Sequence, residues 1–258
     1  MGLTGIQIFK MLPQTNCKEC GAATCLAFAM NLAAGKAELD SCPYVSDEAR
    51  EKLAEASAPP IRPVKAGKGV RAKTLGGETV EFRHEKTFFN EPAFAAVVNS
   101  DIAEDELQNK LTIWNAFQFD RVGFNLRPEF VAVNDVNKDK DAFAKVAKYI
   151  VENSEFNLVL MTEDKDVMQA GIEACKFKRP LMYAATKDNV DDFGQLAKDN
   201  ELPLAVKAES IDQVPELTDK LMEMGLKDLV IDTGSRDVKK LYEDQIGIRR
   251  AALREKNK

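Results

Sequence analysis

The sequence predicts an α/β chain built as a small cysteine-rich domain followed by a larger barrel-type domain. Two observations carry this. Four of the five cysteines lie between positions 17 and 42, and from about residue 94 onward a short apolar strand, a polar turn and an amphipathic helix recur as a unit. A third observation separates a barrel from an open nucleotide-binding sheet: neither GxGxxG nor GxxxxGK follows any of these strands.

The N-terminal stretch MGLTGIQIFKMLPQTN has no basic start leading into a long apolar run, so it predicts neither a signal peptide nor a membrane span. With no export signal the expected compartment is cytoplasmic, where thiols stay reduced and clustered cysteines hold metal more readily than they form disulfides. The formal net charge of -6 argues against a nucleic-acid partner, because neutralising phosphates requires an excess of lysine and arginine.

Cys17, Cys20, Cys25 and Cys42 fall in the run NCKECGAATCLAFAMNLAAGKAELDSCPY. Four thiolates match the need of a 4Fe-4S cube, one terminal ligand for each iron, and the CxxC pair places two sulfurs within reach of adjacent metal atoms. Gly21 lets the backbone come close. AATCLAFAMNLAAG reads as a helix with Cys25, Phe28, Ala29 and Leu32 on one face and Gly35 at its C-cap. Pro43 follows the last cysteine, as in ferredoxin-type ligand runs. A four-cysteine zinc site is the competing reading. It fits the spacing less well, because zinc ribbons supply two CxxC knuckles and here a C-x4-C step and one distant cysteine replace the second. Cys175 is expected to be a buried helix residue. A segment of about fifty residues buries little apolar surface, so a cluster would act as its staple.

Three domains are expected: a 4Fe-4S domain over residues 1–56, a flexible linker over 57–77, and a (β/α) barrel domain over 78–258. The linker reading rests on SAPPIRPVKAGKGVRAKTLGG, rich in proline, glycine and lysine and without apolar period, although a connector lying flat on the surface fits equally. TVEFRHEKTFF alternates like a strand, with Val80 and Phe82 opposite Glu81 and Arg83. It carries the only histidine, His84, which excludes a multi-histidine metal site.

The runs FAAVVN, FVAVN, NLVLMT, PLMYAAT, PLAVKA and DLVIDT are the expected parallel strands. Their ends carry Asn99, Ser100, Asp101, Asn134, Asp135, Thr162 to Asp164, Thr186, Lys207 and Asp232 to Ser235. In a barrel such ends form the active face, yet these residue types also serve there as helix N-caps, and the cap reading is preferred. DVKKLYEDQIGIRRAALREKNK reads as a closing helix with a charged tail. Six units cannot close a barrel, so the fold class is α/β with a small N-terminal 4Fe-4S domain followed by a TIM-barrel-type (β/α)8 domain, incomplete at the C-terminus.

LPQTNCKECGAATCLAFAMNLAAGKAELDSCPY, continuing through VSDEAREKLAEASAPPIRPV to IDTGSRD and IRRAAL, resembles the large (gamma) subunit of the corrinoid iron-sulfur protein of the acetyl-CoA (Wood-Ljungdahl) pathway. The resemblance covers nearly the whole chain, and the four cysteines coincide with the family's cluster ligands. It implies a methyl carrier rather than a self-contained enzyme. Its cobamide, a cobalt corrinoid, accepts a methyl group from methyltetrahydrofolate through a methyltransferase and delivers it to acetyl-CoA synthase. The 4Fe-4S cluster returns oxidised cob(II)amide to cob(I)amide, using electrons from a low-potential donor such as ferredoxin. It further implies a heterodimer with the small subunit. The family carries a C-terminal corrinoid domain after the barrel, so this chain is expected to be truncated and to hold no cobamide itself. An electron-transfer module of a ferredoxin oxidoreductase and a pterin-binding methyltransferase barrel are the alternatives.

Overall fold

In the computed structural model, residues 4–33, 36–37, 39–57, 61–82 and 90–255 are described. The chain divides into two compact units, Met1–Pro60 and Ile61–Lys258. In the first, Thr4 opens α1 (Gly5–Met11) with a capping box: its hydroxyl accepts from the Gln7 N–H while the Gln7 side chain accepts from the Thr4 N–H. A loop of residues 12–24 leads to α2 (Cys25–Ala33), and α3 (Asp47–Ser57) follows a single 3-10 turn, Leu39–Ser41. Gly35, the expected C-cap of α2, lies outside the described residues. A Cβ on Gly5 would collide with Met30, so the glycine is what lets α1 and α2 approach closely. The core of this unit is Ile8, Leu12, Cys25, Phe28, Ala29, Cys42, Val45, Ala49 and Leu53. Two of these nine are cysteines of the N-terminal run, which leaves a small apolar core to hold the unit by itself.

The second unit begins with β1 (Val64–Ala66) and β2 (Lys73–Leu75), an antiparallel hairpin. Then come β3 (Ala95–Asn99), α4 (Glu104–Ala116), a second hairpin of β4 (Phe119–Arg121) and β5 (Phe124–Leu126), β6 (Phe130–Asn134), α5 (Lys140–Asn153), β7 (Asn157–Met161) and α6 (Lys165–Cys175). The chain continues through β8 (Leu181–Ala185), α7 (Val190–Asn200), β9 (Leu204–Lys207), α8 (Val214–Glu223), β10 (Leu229–Asp232) and α9 (Val238–Arg250). β3, β6, β7, β8, β9 and β10 are the six expected strands. They form one all-parallel sheet in sequential order, with Val97 level with Ala132, Val159 with Leu181, and Val206 with Ile231.

Of the expected (β/α)8 barrel, incomplete at the C-terminus, the described residues form α/β structure around six consecutive parallel strands. The central element is an open parallel sheet, and among the described residues β3 and β10 are its outer strands. Six strands at barrel tilt do not complete a circle. The sequential order, with no reversal point, nonetheless departs from a doubly wound sheet. Right-handed connections in one direction place the helices on one face. There Val98, Val131, Val133, Leu158, Leu160, Met182, Leu204 and Val206 pack with Phe143, Ile150, Met168, Ile172, Phe193 and Leu221 of α5 to α8. The other face is less uniform than strands buried on both sides would be. Phe130 and Ala132 are buried, but Val97 of β3 is 57% exposed, and Asn157, Tyr183, Lys207 and Asp232 share that face.

The expected linker over 57–77 is in part a packed element. From Ile61 it belongs to the second unit, and the first hairpin covers the amino ends of the sheet. The Gly67 N–H donates to the Arg179 carbonyl at 2.9 Å, and the Lys68 N–H to Asn157 Oδ1 at 2.9 Å. Arg71, only 5% exposed, donates to the Pro128 carbonyl and Asn115 Oδ1, both at 2.7 Å, and lies over the Phe156 ring. Lys73 reaches the buried Glu129 at 3.3 Å. These attachments run through backbone groups and long cations, so they leave no apolar period in the sequence. The strand expected around TVEFRHEKTFF does not form over its described part. Arg249 of α9 instead binds the Val80 and Glu81 carbonyls and Glu78, while His84 and the rest of 83–89 lie outside the described residues. No helix among the described residues is long and apolar enough to cross a membrane.

Candidate metal centre

The loop between α1 and α2 is shaped by backbone turns. Gln14, Asn16, Lys18 and Gly21 take φ values of 56°, 51°, 67° and 77°. Three left-handed non-glycine residues within five positions cost about 1 kcal/mol each, which ordinary connectors avoid. They fold the CxxC segment back on the start of α2, and the Gly21 N–H closes a turn on the Lys18 carbonyl at 2.9 Å. Asn16 ties the loop to the helix. Its Oδ1 accepts the Cys25 N–H at 2.8 Å, and its own N–H donates to Cys25 Sγ at 3.4 Å. An N–H donated to sulfur stabilises thiolate character and, at an iron centre, tunes its potential.

Cys25 opens α2, where a helix start favours negative charge. Cys25 and Cys42 are buried, Cys20 is half-buried and Cys17 is exposed. Cys42 follows the 3-10 turn, its N–H bonded to the Leu39 carbonyl at 3.1 Å, and faces the core that contains Phe28 and Leu53. Cys17 and Cys42 lie 25 positions apart but share one neighbour. The Tyr44 hydroxyl donates to Glu19 at 2.9 Å, and its titration is pushed up by that hydrogen bond and charge and further by Cys17 and Cys42. Cys20, Gly21, Phe28, Asn31, Lys36 and Ser41 border an open recess beside the loop. None of the four cysteines is in a disulfide. Among the described residues no three Cys, His, Asp or Glu side chains converge on a single-ion position.

Cys175 stands apart in α6 of the second unit. It is fully buried, donates to the Gly171 carbonyl at 3.1 Å, and burial pushes its thiol up to about 12. Asn16 and Tyr44 carried no role in the sequence reading. Asn16 sits nine residues before the helix it caps, a separation at which no cap pattern is visible.

The carboxyl ends of the sheet strands differ from the cap reading. Asp139, Asp164 and Asp237 cap helices, but several other strand-end residues bond across strands. Thr162 donates to Asp135 at 2.7 Å, Lys207 meets Glu163 at 2.6 Å, and Asn134 donates to Asn99 at 3.1 Å. Tyr183 donates to Asp232 at 2.5 Å, and Arg236 pairs with the same carboxylate at 2.9 Å. Burial opposes ionisation of Asp232, yet Arg236, Tyr183 and the Gly234 N–H together bring it down to about 2, and burial plus Asp232 push Tyr183 up to about 12.

A family model for the CO dehydrogenase/acetyl-CoA synthase delta subunit matches residues 63–258, and an Fe-S cluster model matches residues 12–44, spanning all four clustered cysteines. The corrinoid/iron-sulfur protein large subunit of Moorella thermoacetica is 44% identical over 256 residues, covering 99% of this chain and 57% of that protein. The acetyl-CoA decarbonylase/synthase complex subunit gamma of Methanopyrus kandleri is 36% identical, covering 98% of this chain and 55% of its own length. Its counterpart in Methanocaldococcus jannaschii is 26% identical, covering 99% and 54%. The chain thus spans about half the length of the curated relatives it matches. The match of the delta-subunit model over most of the chain, with an Fe-S segment ahead of it, shows that the chain belongs to the CO dehydrogenase/acetyl-CoA synthase family, among relatives that are corrinoid/iron-sulfur large and gamma subunits.

Proposed function

We propose that this chain is the iron-sulfur and scaffold portion of a cytoplasmic corrinoid methyl carrier of the acetyl-CoA pathway, with Cys17, Cys20, Cys25 and Cys42 ligating one 4Fe-4S cluster. The match of an Fe-S model to residues 12–44, which contain all four cysteines, carries the reading, and Cys20, Cys25 and Cys42 share the core of the first unit. A cluster bound there supplies a one-electron relay of low potential. The residues around it set the terms of that relay. Cys25 and Cys42 hold the core side while Cys17 and Cys20 face outward, so electrons enter on the loop side. The Asn16 N–H steadies the Cys25 sulfur.

In this reading the relay restores cob(I)amide from cob(II)amide. The corrinoid takes its methyl group from methyltetrahydrofolate through a methyltransferase and passes it to acetyl-CoA synthase. A small subunit completes a heterodimer, and the outer strands β3 and β10, which are unpaired on one side among the described residues, fit further cover.

Anaerobic purification followed by iron, sulfide and zinc analysis tests the ligand set. About four irons and four sulfides per chain, lost when Cys17 or Cys42 is replaced by serine, are expected. Stoichiometric zinc without iron would refute it.

A further inference from the structure

The CxxC loop and the segment before α3 each carry cysteines of the candidate site, and one side-chain bond joins them across 25 positions: the Tyr44 hydroxyl donates to Glu19 at 2.9 Å. The backbone places both ends. Glu19 stands between Cys17 and Cys20, inside the turn that the Gly21 N–H closes on the Lys18 carbonyl at 2.9 Å, with Lys18 at φ 67°. Tyr44 follows Pro43, whose ring fixes the backbone directly after Cys42. Its hydroxyl lies within electrostatic reach of Cys17 and Cys42 as well as of Glu19. No cation holds Glu19, for the ion pairs of this unit among the described residues are Arg50 with Asp40 and Lys52 with Glu48. Tyr44 is 53% exposed, so burial contributes little at this position and the hydrogen bond is what its side chain supplies. Cys17 and Glu19 are exposed too, so the bond lies on the solvent side of the site, while the buried Cys25 has its own tie through Asn16.

We propose that Tyr44 and Glu19 are a positioning pair for the cluster: their bond clamps the Cys17 side of the site to the Cys42 side, and it holds beside the ligands a carboxylate that makes the cluster harder to reduce. The inference rests on the cluster reading above and adds to it two residues that ligate nothing. Metal held by cysteines on two segments is released when the segments part, so a bond between them slows release. A fixed negative charge opposes the arrival of one more electron, and at an exposed position salt screens that effect. The two contributions are separable by substitution. Glutamine keeps the acceptor and drops the charge, whereas phenylalanine keeps the ring and drops the bond.

The test uses the whole protein in its native complex, purified anaerobically, and reads two quantities: the rate at which iron passes to an added chelator, and the midpoint potential of the cluster in a titration followed by electron paramagnetic resonance. Tyr44→Phe should release iron about fivefold faster than wild type, as expected for one lost hydrogen bond. Glu19→Gln should release it at the wild-type rate. At a fixed applied potential, Glu19→Gln should instead shift the oxidised-to-reduced ratio about threefold toward the reduced form, a midpoint about 28 mV less negative at about 59 mV per tenfold for one electron. That shift should shrink as salt rises. Wild-type iron release in Tyr44→Phe overturns the clamp, a wild-type potential in Glu19→Gln overturns the charge, and either result removes the pair as proposed. Should Tyr44→Phe fail to retain iron through purification, the potential of Glu19→Gln, which keeps the bond, decides. Absence of iron from the wild-type protein fells the cluster reading instead, before any variant is compared.

Discussion

Gly67→Ala tests whether residues 61–77 are a packed hairpin or a loose connector. Gly67 has φ +78°, and a Cβ there would lie 2.8 Å from the Asn157 Cβ and closer still to its amide group. Asn157 is fully buried at the start of β7, and its Oδ1 accepts the Lys68 N–H. The left-handed conformation costs a Cβ-bearing residue about 1 kcal/mol. Displacing Asn157 removes a buried hydrogen bond worth about 1–3 kcal/mol, giving about 2–4 kcal/mol in all. Gly69→Ala is the control: its φ is +75° but nothing lies within 4 Å, so only the conformational cost of about 1 kcal/mol applies. Trp114, the only tryptophan, packs against the second unit's core and reports unfolding by fluorescence. With a urea slope of about 2 kcal/mol per molar, the midpoint should fall by about 1–2 M for Gly67→Ala and about 0.5 M for Gly69→Ala. Equal shifts, or none, would show that the hairpin is not held against Asn157.

Cys175→Ala should leave the iron content unchanged, as iron analysis would show, while lowering stability by about 1–2 kcal/mol through the small cavity it leaves. With its thiol near 12 and no exposure, Cys175 should also resist iodoacetamide at pH 8 in the folded protein and react once urea is added. Removing the iron with a chelator should unfold the first unit and leave the Trp114 transition of the second in place, as far-UV dichroism and fluorescence together would reveal. For Asp232 the folded value, near 2, lies below the ordinary carboxylate value. Its stabilisation is therefore complete above the ordinary value and is lost as pH falls through the folded one. Asp232→Asn should lower the urea midpoint at pH 7, and the gap to wild type should close between about pH 4 and pH 2; a gap independent of pH would remove the carboxylate from the account.

Much of the outline was legible in the chain by itself. The six parallel strands and their helices follow from short apolar runs at regular spacing, because a strand covered by helices must be apolar whatever its neighbours are. The helix after the CxxC segment, with Cys25, Phe28 and Ala29 turned inward, follows from a 3.6-residue period. The four cysteines stood out because thiols cluster in a reduced chain for few reasons.

Other features depended on contacts between distant residues. The hairpin of Val64–Ala66 and Lys73–Leu75 is built on carbonyls and on Arg71, Lys73 and Asn157, so its sequence resembles a connector. The strand-end polar groups divide into caps and cross-strand pairs only when β8 and β10 bring Tyr183 to Asp232, across 49 positions. Periodicity reports whether a strand is apolar but not whether its sheet closes, since closure is set by strand number and tilt, and here the six strands remain an open sheet. What the sequence determined by itself was local: element type, order and the clustered thiols. What only the tertiary structure decided was which polar groups meet, because hydrogen-bond partners are chosen by proximity in space, for which a single chain read in order carries no period.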